Sequence, residues 1–144
     1  MAVPLIDRIM GTVLTVHQVV YDRSGGRIGA SLAGRPMLLL RTTGARTGQA
    51  RTAALLYVRD GEDYAVIASK GGDDRHPGWY HNLIADPDVE IQVGTDTVPV
   101  RARVAQGDER DRLWAAADAV NKGQYTTYQS RTDREIPVVV LAPR

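Results

Sequence analysis

The spacing of its apolar runs constrains this chain more than any other feature of the sequence. Six runs have the length and composition of buried β-strands: residues 37–41, 51–58, 63–69, 89–93, 98–105 and 136–141. Two of the gaps between them hold only four residues, whereas parallel neighbours need a crossover of about a dozen. The Asp60-Gly61 pair in one of these gaps is a strong hairpin signal. The pattern therefore predicts a mainly antiparallel sheet.

Helical periodicity adds three helices to this sheet. An apolar face runs along residues 5–21, for which Pro4 suits the first turn. A short helix fits residues 77–85, and an apolar stripe extends over 113–120. About six strands in so short a chain favour closure into a small barrel, because closure removes exposed sheet edges. We therefore predict an α+β fold.

The chain is expected to be one domain over residues 1–144, with an N-terminal helix and loop at 1–34 and the barrel core at 35–144. Asp7 and Arg8 lie near the start and no cleavage site follows, which argues against a signal peptide and predicts a cytoplasmic protein. The uncharged run of the first helix is also shorter than the about 20 apolar residues that a bilayer span needs. Its apolar face has two interpretations. It packs on a core or a dimer partner, or it lies on the inner face of the membrane.

Composition excludes several kinds of site. The chain has no cysteine, which rules out disulfides, thiolate metal sites and thiol nucleophiles. Its three histidines form no zinc-binding pattern, so we predict no metal site. The net charge of +1 argues against a dedicated nucleic-acid-binding protein.

The charges are nevertheless distributed unevenly. From Arg23 to Arg59 the chain has seven arginines and neither Asp nor Glu, a pattern that attracts polyanions. Arg41, Arg46 and Arg51 surround a glycine-bearing turn in which threonine hydroxyls and backbone amides add anion-binding donors. The five-residue spacing alternates sheet faces, so all three can converge only through the turn. Three solvated arginines are the plain alternative.

Three further segments carry candidate ligand-binding groups. Ser69-Lys70-Gly71 follows an apolar strand, and its glycine allows a ligand to approach the backbone closely. Residues 76–82 hold Trp79, which serves either as a core anchor or as a platform for a ligand. Tyr125 and Tyr128 lie three residues apart in a polar segment, and they either form a lid over an aromatic substrate or pack on the barrel.

These segments, in this order and at these gaps, resemble the deazaflavin-dependent nitroreductase family of actinobacteria, whose members are reductases with a split β-barrel. The matching pieces are residues 38–51, 68–72, 76–83, 86–93, 128–129 and 132–138. The resemblance implies coenzyme F420, a deazaflavin that carries a phosphodiester and a polyanionic oligoglutamate tail. It further implies a hydride acceptor that is a small molecule.

The resemblance also implies roles for individual residues. Arg46, Thr47 and Arg51 would bind the phosphate and tail. Ser69, Lys70 and Gly71 would meet the deazaflavin or its phosphate, and Trp79 and Asn82 would shape the same pocket. On the substrate side lie Leu56, Tyr125 and Tyr128. Ser69, Tyr125 and Tyr128 are the candidate catalytic groups, because a hydroxyl can stabilise negative charge that develops on the acceptor.

The sequence departs from the family pattern at three positions. Ala45 stands where some relatives have a second basic residue, and Leu56 and Lys122 stand where nitroimidazole-reducing members have tyrosines. The change at Ala45 implies that one contact to the tail is absent. The changes at Leu56 and Lys122 weaken the case for a nitro acceptor relative to quinones, enones and unsaturated lactones. Two alternatives stay open. One is use of flavin mononucleotide on the same fold, and the other is a non-catalytic barrel that binds deazaflavin, lipid or quinone.

Overall fold

The computed structural model describes residues 5–144, so the predicted place of Pro4 in the first helical turn lies outside it. The helices are α1 (Leu5–Arg23), α2 (Gly78–Ala85), α3 (Gly107–Val120) and α4 (Gln124–Gln129), with a 3₁₀ turn at Lys70–Gly72. The strands are β1 (Ser31–Leu32), β2 (Arg35–Thr43), β3 (Ala50–Leu56), β4 (Val58–Asp60), β5 (Asp63–Ile67), β6 (Asp88–Val93), β7 (Asp96–Val104) and β8 (Val138–Pro143).

Every strand pairing in this part of the chain is antiparallel, as the short turns predict. The sheet runs in the order β1-β2-β6-β7-β8-β5-β4, and β3 pairs with β2. The hairpin predicted at Asp60-Gly61 joins β4 to β5. The edge strands β3 and β4 are consecutive in the chain, so the sheet curls back on itself. The α+β split barrel is confirmed.

The strand expected over residues 51–58 is in fact two strands, and this is one reason why the sheet has eight strands where about six were predicted. The break lies at Tyr57, whose backbone N–H donates to the Pro36 carbonyl at 3.2 Å. Before Tyr57 the chain pairs with β2, and after it the chain pairs with β5. A continuous apolar run carries no sign of this change of partner, because the partners are set by contacts with distant parts of the chain.

Strand β2 lies between two apolar clusters. Met37 and Leu39 face a cluster that α3, α4 and β8 complete, whereas Leu38 and Leu40 face a second cluster formed with α2, β6 and β8. Because side chains alternate along a strand, this one strand contributes to both halves of the core. Its apolar residues end at Leu40, and the polar Arg41–Thr43 segment that follows leads out of the core to the site.

Helix α1 is attached by one face near its C-terminal end. Tyr21 is fully buried, and its hydroxyl lies 3.1 Å from the Met37 carbonyl and 3.2 Å from that of Gln92, while it accepts the Gly94 N–H at 2.8 Å. The opposite face exposes apolar side chains, among them Val16 at 57%. None of the helices in residues 5–144 has the length and apolarity that a transmembrane span requires.

Candidate functional site

A cavity of about 540 Å³ opens at the end of the β2–β3 hairpin. Its walls are the hairpin turn, the start of β3 and helix α2. The lining residues are Thr42, Gly44, Ala45, Arg46, Thr47, Arg51, Thr52, Ala53, Gly78, Trp79, His81 and Asn82. This lining includes two arginines and no carboxylate, so the cavity is an electropositive site suited to an anionic ligand.

The turn that carries Arg46 is held by its own backbone. The Gly44 N–H donates to the Gln49 carbonyl at 2.7 Å, and the Gly48 N–H donates to the Gly44 carbonyl at 2.9 Å. The Thr47 hydroxyl accepts the Gln49 N–H at 3.2 Å. A Cβ added at Gly44 would lie only 2.7 Å from that hydroxyl, so a side chain there would open the turn. The glycines of this segment therefore fix the shape of one cavity wall.

Asn82 joins this turn to helix α2. Its Oδ1 accepts the Ala45 N–H at 2.9 Å, and its Nδ2 donates to the Thr42 hydroxyl at 3.0 Å. The side chain is buried, with only 8% of the residue exposed. Its amide is thus engaged within the protein, which indicates that Asn82 acts on the pocket by holding two of its walls together.

The three arginines predicted around the turn do not all converge. Arg46 and Arg51 line the cavity, and neither makes a salt bridge among the residues that the structure describes. Arg41 pairs with Asp22 of α1 at 2.9 Å. In the β2–β3 register Arg51 lies opposite Thr42, one residue beyond Arg41, so Arg41 falls on the other face. The basic surface is accordingly narrower than the seven arginines of the sequence suggest.

The Ser69-Lys70-Gly71 segment forms a tight turn with unusual backbone angles. Lys70 has a φ of 45°, which is rare for a residue with a side chain, and Gly71 and Gly72 are also left-handed. Gly72 lies against α4, since a Cβ there would be 2.5 Å from the Tyr128 carbonyl. Lys70 is exposed and Ser69 half-buried, so both are accessible to a ligand.

The two tyrosines of the predicted lid have different environments. They lie on helix α4, which the sequence did not predict, with ring centroids 6.3 Å apart. Tyr125 is only 6% exposed and lies in the core cluster, so of the two interpretations its ring fits packing on the barrel. Burial strongly raises its pKa, which makes it a poor proton donor. Tyr128 is half-buried, and its hydroxyl donates to Gln124 at 3.0 Å.

Leu56 belongs to the same apolar cluster as Tyr125, and Tyr128 packs against that cluster. Leu56 is 8% exposed, which leaves only a small part of it open to a substrate. Strand β3 connects this cluster to the cavity, since Ala53 lines the cavity and Leu56 lies about 10 Å further along the strand. The candidate site therefore has a basic end, the cavity with Arg46 and Arg51, and an aromatic end, the cluster with Tyr125 and Tyr128.

Sequence reasoning did not identify His81 as a site residue. His81 lines the cavity, one residue before Asn82 on α2. Its ring lies 5.7 Å from that of His76, and burial, Arg134 and His81 together lower the pKa of His76. The spacing of Gly78, Trp79, His81 and Asn82 along one helix could have revealed His81. Within residues 5–144, no cluster of three or more potential metal ligands occurs.

This fold is that of the F420-dependent reductases. A solved F420H2-dependent reductase, FDR-A, is 41% identical to the chain, with a TM-score of 0.68 over 77% of this chain and 97% of that one. A second solved structure, described as a domain-swapped dimer, is 35% identical with a TM-score of 0.69, and the match covers 96% of this chain and 99% of the other.

The family is equally clear in sequence. The profile of the F420H(2)-dependent quinone reductase family matches residues 13–143. The F420H(2)-dependent quinone reductase Rv1261c of Mycobacterium tuberculosis is 51% identical over 143 residues, 96% of each chain. The chain belongs to this family. It is therefore an F420-dependent reductase, with reduced coenzyme F420 as its cofactor.

The Asn82 contacts predict a measurable contribution to stability. Asn82→Ala removes the acceptor of the Ala45 N–H, and a buried polar group that loses its partner costs about 1–3 kcal/mol. We expect urea unfolding to show a loss of that size. Ile84→Ala, a truncation at an exposed position of the same helix, is the control and should change stability by about 0.5 kcal/mol or less. Equal losses in the two variants would contradict a specific role for the amide.

Proposed function

We propose that this chain transfers a hydride from reduced F420 to a quinone, with enones, unsaturated lactones and nitro compounds as further acceptors of the same electrophilic type. The observation that supports it best is the carboxylate-free cavity in which Arg46 and Arg51 have no acidic partner among the described residues. Uncompensated guanidinium groups in a concave site bind phosphate and carboxylate strongly.

The donor set suits the cofactor that the family uses. The phosphodiester and glutamate tail of F420 are anionic, and the hydroxyl of Thr47 adds a neutral donor beside the two arginines. Trp79 offers a flat apolar wall. Ser69, Lys70 and Gly71 would meet the ring or its phosphate. Asn82 enters this proposal as the group that holds the cavity walls together.

When bound, reduced F420 supplies a hydride, so the protein must orient the acceptor and stabilise the negative charge that forms on its oxygen. Ser69 and Tyr128 are the hydroxyl groups suited to that task, since both are partly accessible. Tyr125 and Leu56 would form the apolar floor beneath the acceptor. The hydroquinone product also needs a proton, for which Tyr128 or a water is a better source than the buried Tyr125.

Arg51→Ala tests the cofactor assignment directly. Loss of charge-assisted hydrogen bonds to the tail should weaken F420 binding by about 1–3 kcal/mol. Fluorescence titration measures the dissociation constant. Wild-type protein should bind F420 more tightly than flavin mononucleotide, which lacks a tail. The difference between the two affinities should be smaller in the variant. Arg101→Ala removes an exposed arginine of β7 outside the cavity and should leave both affinities unchanged.

Two results would change the proposal. Equal affinity of the wild-type protein for both cofactors would favour the flavin mononucleotide alternative. Tight F420 binding with no reduction of quinones, enones or nitro compounds would favour a carrier, because the residues that bind a cofactor do not by themselves show turnover.

Tyr128→Ala tests the acceptor end. If its ring contacts the acceptor, turnover should fall or the KM for a bulky quinone should rise, while F420 affinity stays near the wild-type value. Tyr125→Ala is the matched comparison: its buried ring should cost about 3–5 kcal/mol of stability. A Tyr128 variant that loses stability, cofactor affinity and activity in proportion would contradict the lid.

We also propose that the chain self-associates through α1, with a second copy covering its apolar face. Val13, Val16 and Val20 are exposed on this helix, and the loop after it has left-handed glycines at Gly25 and Gly26 that allow a change of direction. The domain-swapped arrangement of the 35% identical relative supports this proposal.

Light scattering should give twice the chain mass of 15.7 kDa for wild-type protein. The Val13→Glu and Val16→Glu pair places two charges on the apolar face and should give a monomer. Gln18→Glu, which places a charge about 160° from Val16 around the helix, should leave the dimer intact. A wild-type monomer that co-sediments with anionic vesicles would favour the membrane interpretation instead.

A further inference from the structure

Arg134 is held in an unusual way for an arginine. Its guanidinium donates to four acceptors that carry no formal negative charge: the carbonyls of Ala68 (3.2 Å), Ser69 (2.8 Å) and Asp73 (2.7 Å), and Nδ1 of His76 (3.1 Å). In the part of the chain that the structure describes, it forms no salt bridge. Burial lowers its pKa, although nearby Asp73 and Asp74 oppose this.

Three of these acceptors belong to the turn that contains Ser69, Lys70 and Gly71. Two further carbonyls of the turn are also engaged: that of Lys70 accepts the Asp73 N–H at 3.1 Å, and that of Gly71 accepts a hydrogen bond from Nη1 of Arg131 at 3.1 Å. Most backbone oxygens of this turn therefore accept hydrogen bonds from the protein itself.

The backbone N–H groups behave in the opposite way. In a trans peptide the N–H points away from the preceding carbonyl, and the chain has no cis bond among its described residues. Because Arg134 attracts the carbonyls of Ala68 and Ser69, the N–H groups of Ser69 and Lys70 face away from it. Neither of these groups, nor the N–H of Gly71, has a hydrogen-bond partner within residues 5–144.

These three N–H groups are available to a ligand, because no acceptor within residues 5–144 pairs with them and the turn is exposed at Lys70 and Gly71. Three consecutive donors in a right-handed to left-handed backbone sequence form a concave site for a negatively charged or carbonyl oxygen. The positive charge of Arg134, on the carbonyl side of the turn, also attracts such an oxygen. Arg134 also contacts His76, which leads into α2 and so into the wall of the arginine cavity.

We propose that Arg134 is a positioning residue for the reaction: it holds the 69–71 turn by its carbonyls so that the three N–H groups point toward an oxygen of the cofactor. This inference rests on the proposed function. The oxygen belongs either to the deazaflavin ring or to the phosphate, which share the same acceptor chemistry. The strained φ of Lys70 is then a conformation that the Arg134 contacts maintain.

The test compares Arg134→Lys and Arg134→Met with wild-type protein by fluorescence titration of F420 and of the deazaflavin riboside that lacks phosphate and tail. Lysine keeps the charge but cannot donate to four acceptors at once. We expect both variants to bind F420 at least about tenfold more weakly, which is the range of one lost charged hydrogen bond. Weakening of both ligands assigns the oxygen to the ring, and weakening of F420 alone assigns it to the phosphate.

Arg75→Met is the matched control. Arg75 is 79% exposed and pairs with Asp73 of the same turn, so this variant removes a charge nearby without removing a carbonyl contact. Its F420 affinity should stay within about twofold of wild type. Amide NMR spectra give a second measurement, whose result should not change if Arg134 only stabilises the fold. F420 should shift the Ser69, Lys70 and Gly71 resonances in wild-type protein, and much less in a folded Arg134→Lys variant.

The outcomes separate the two proposals. Wild-type protein that does not bind F420 would overturn the proposed function and this inference with it. Wild-type protein that binds, with unchanged affinity and unchanged amide shifts in the Arg134 variants, would overturn the inference alone. If both Arg134 variants fail to fold, the residue is structural and the positioning role is also overturned.

Discussion

Burial of strand β2 on both faces is the constraint on which the rest of this structure depends. Its apolar side chains alternate between two clusters, so one strand provides packing for α3 and α4 on one side and for α2 on the other. Each fully buried leucine contributes about 1.5–3 kcal/mol of transfer free energy. Where the apolar run stops, at Arg41, the strand leaves the core. The hairpin turn and the cavity begin there, so the end of β2 determines where the basic end of the site lies.

Local patterns explain which parts of the fold could be predicted from the sequence. Turn length and the Asp60-Gly61 pair act over a few residues, so the antiparallel sheet and the β4–β5 hairpin follow from them. The change of strand partner at Tyr57 depends on the distant Pro36, and the burial of Tyr125 depends on how α4 packs. The apolar run of residues 51–58 does not indicate the change of partner, and the polar residues around Tyr125 do not indicate its burial. Likewise, no periodicity marks Arg134, whose acceptors lie about 60 residues earlier in the chain.

The arginines of this chain differ in whether an acidic side chain neutralises their charge. Several arginines of the outer surface pair with acids, as Arg101 does with Asp88 and Arg112 with Asp60. Exposed pairs of this kind contribute about 0–1 kcal/mol each. The cavity arginines, Arg46 and Arg51, have no acid on the cavity wall. Their charge is available to a ligand, and because the cavity is open to water their attraction for anions decreases as salt screens it.

The same strand carries the residues of both ends of the site. Arg51 lies at the start of β3 and Leu56 at its end, about 16 Å apart in an extended strand. A paired strand cannot shorten without losing its ladder to β2, so the distance between the basic end and the aromatic end is fixed. Hydride transfer needs an oriented acceptor and stabilised charge, and it requires no side chain to form a covalent bond. On the proposed assignment of the cofactor to the basic end and the acceptor to the aromatic end, β3 therefore sets the separation between the anionic part of the cofactor and the acceptor.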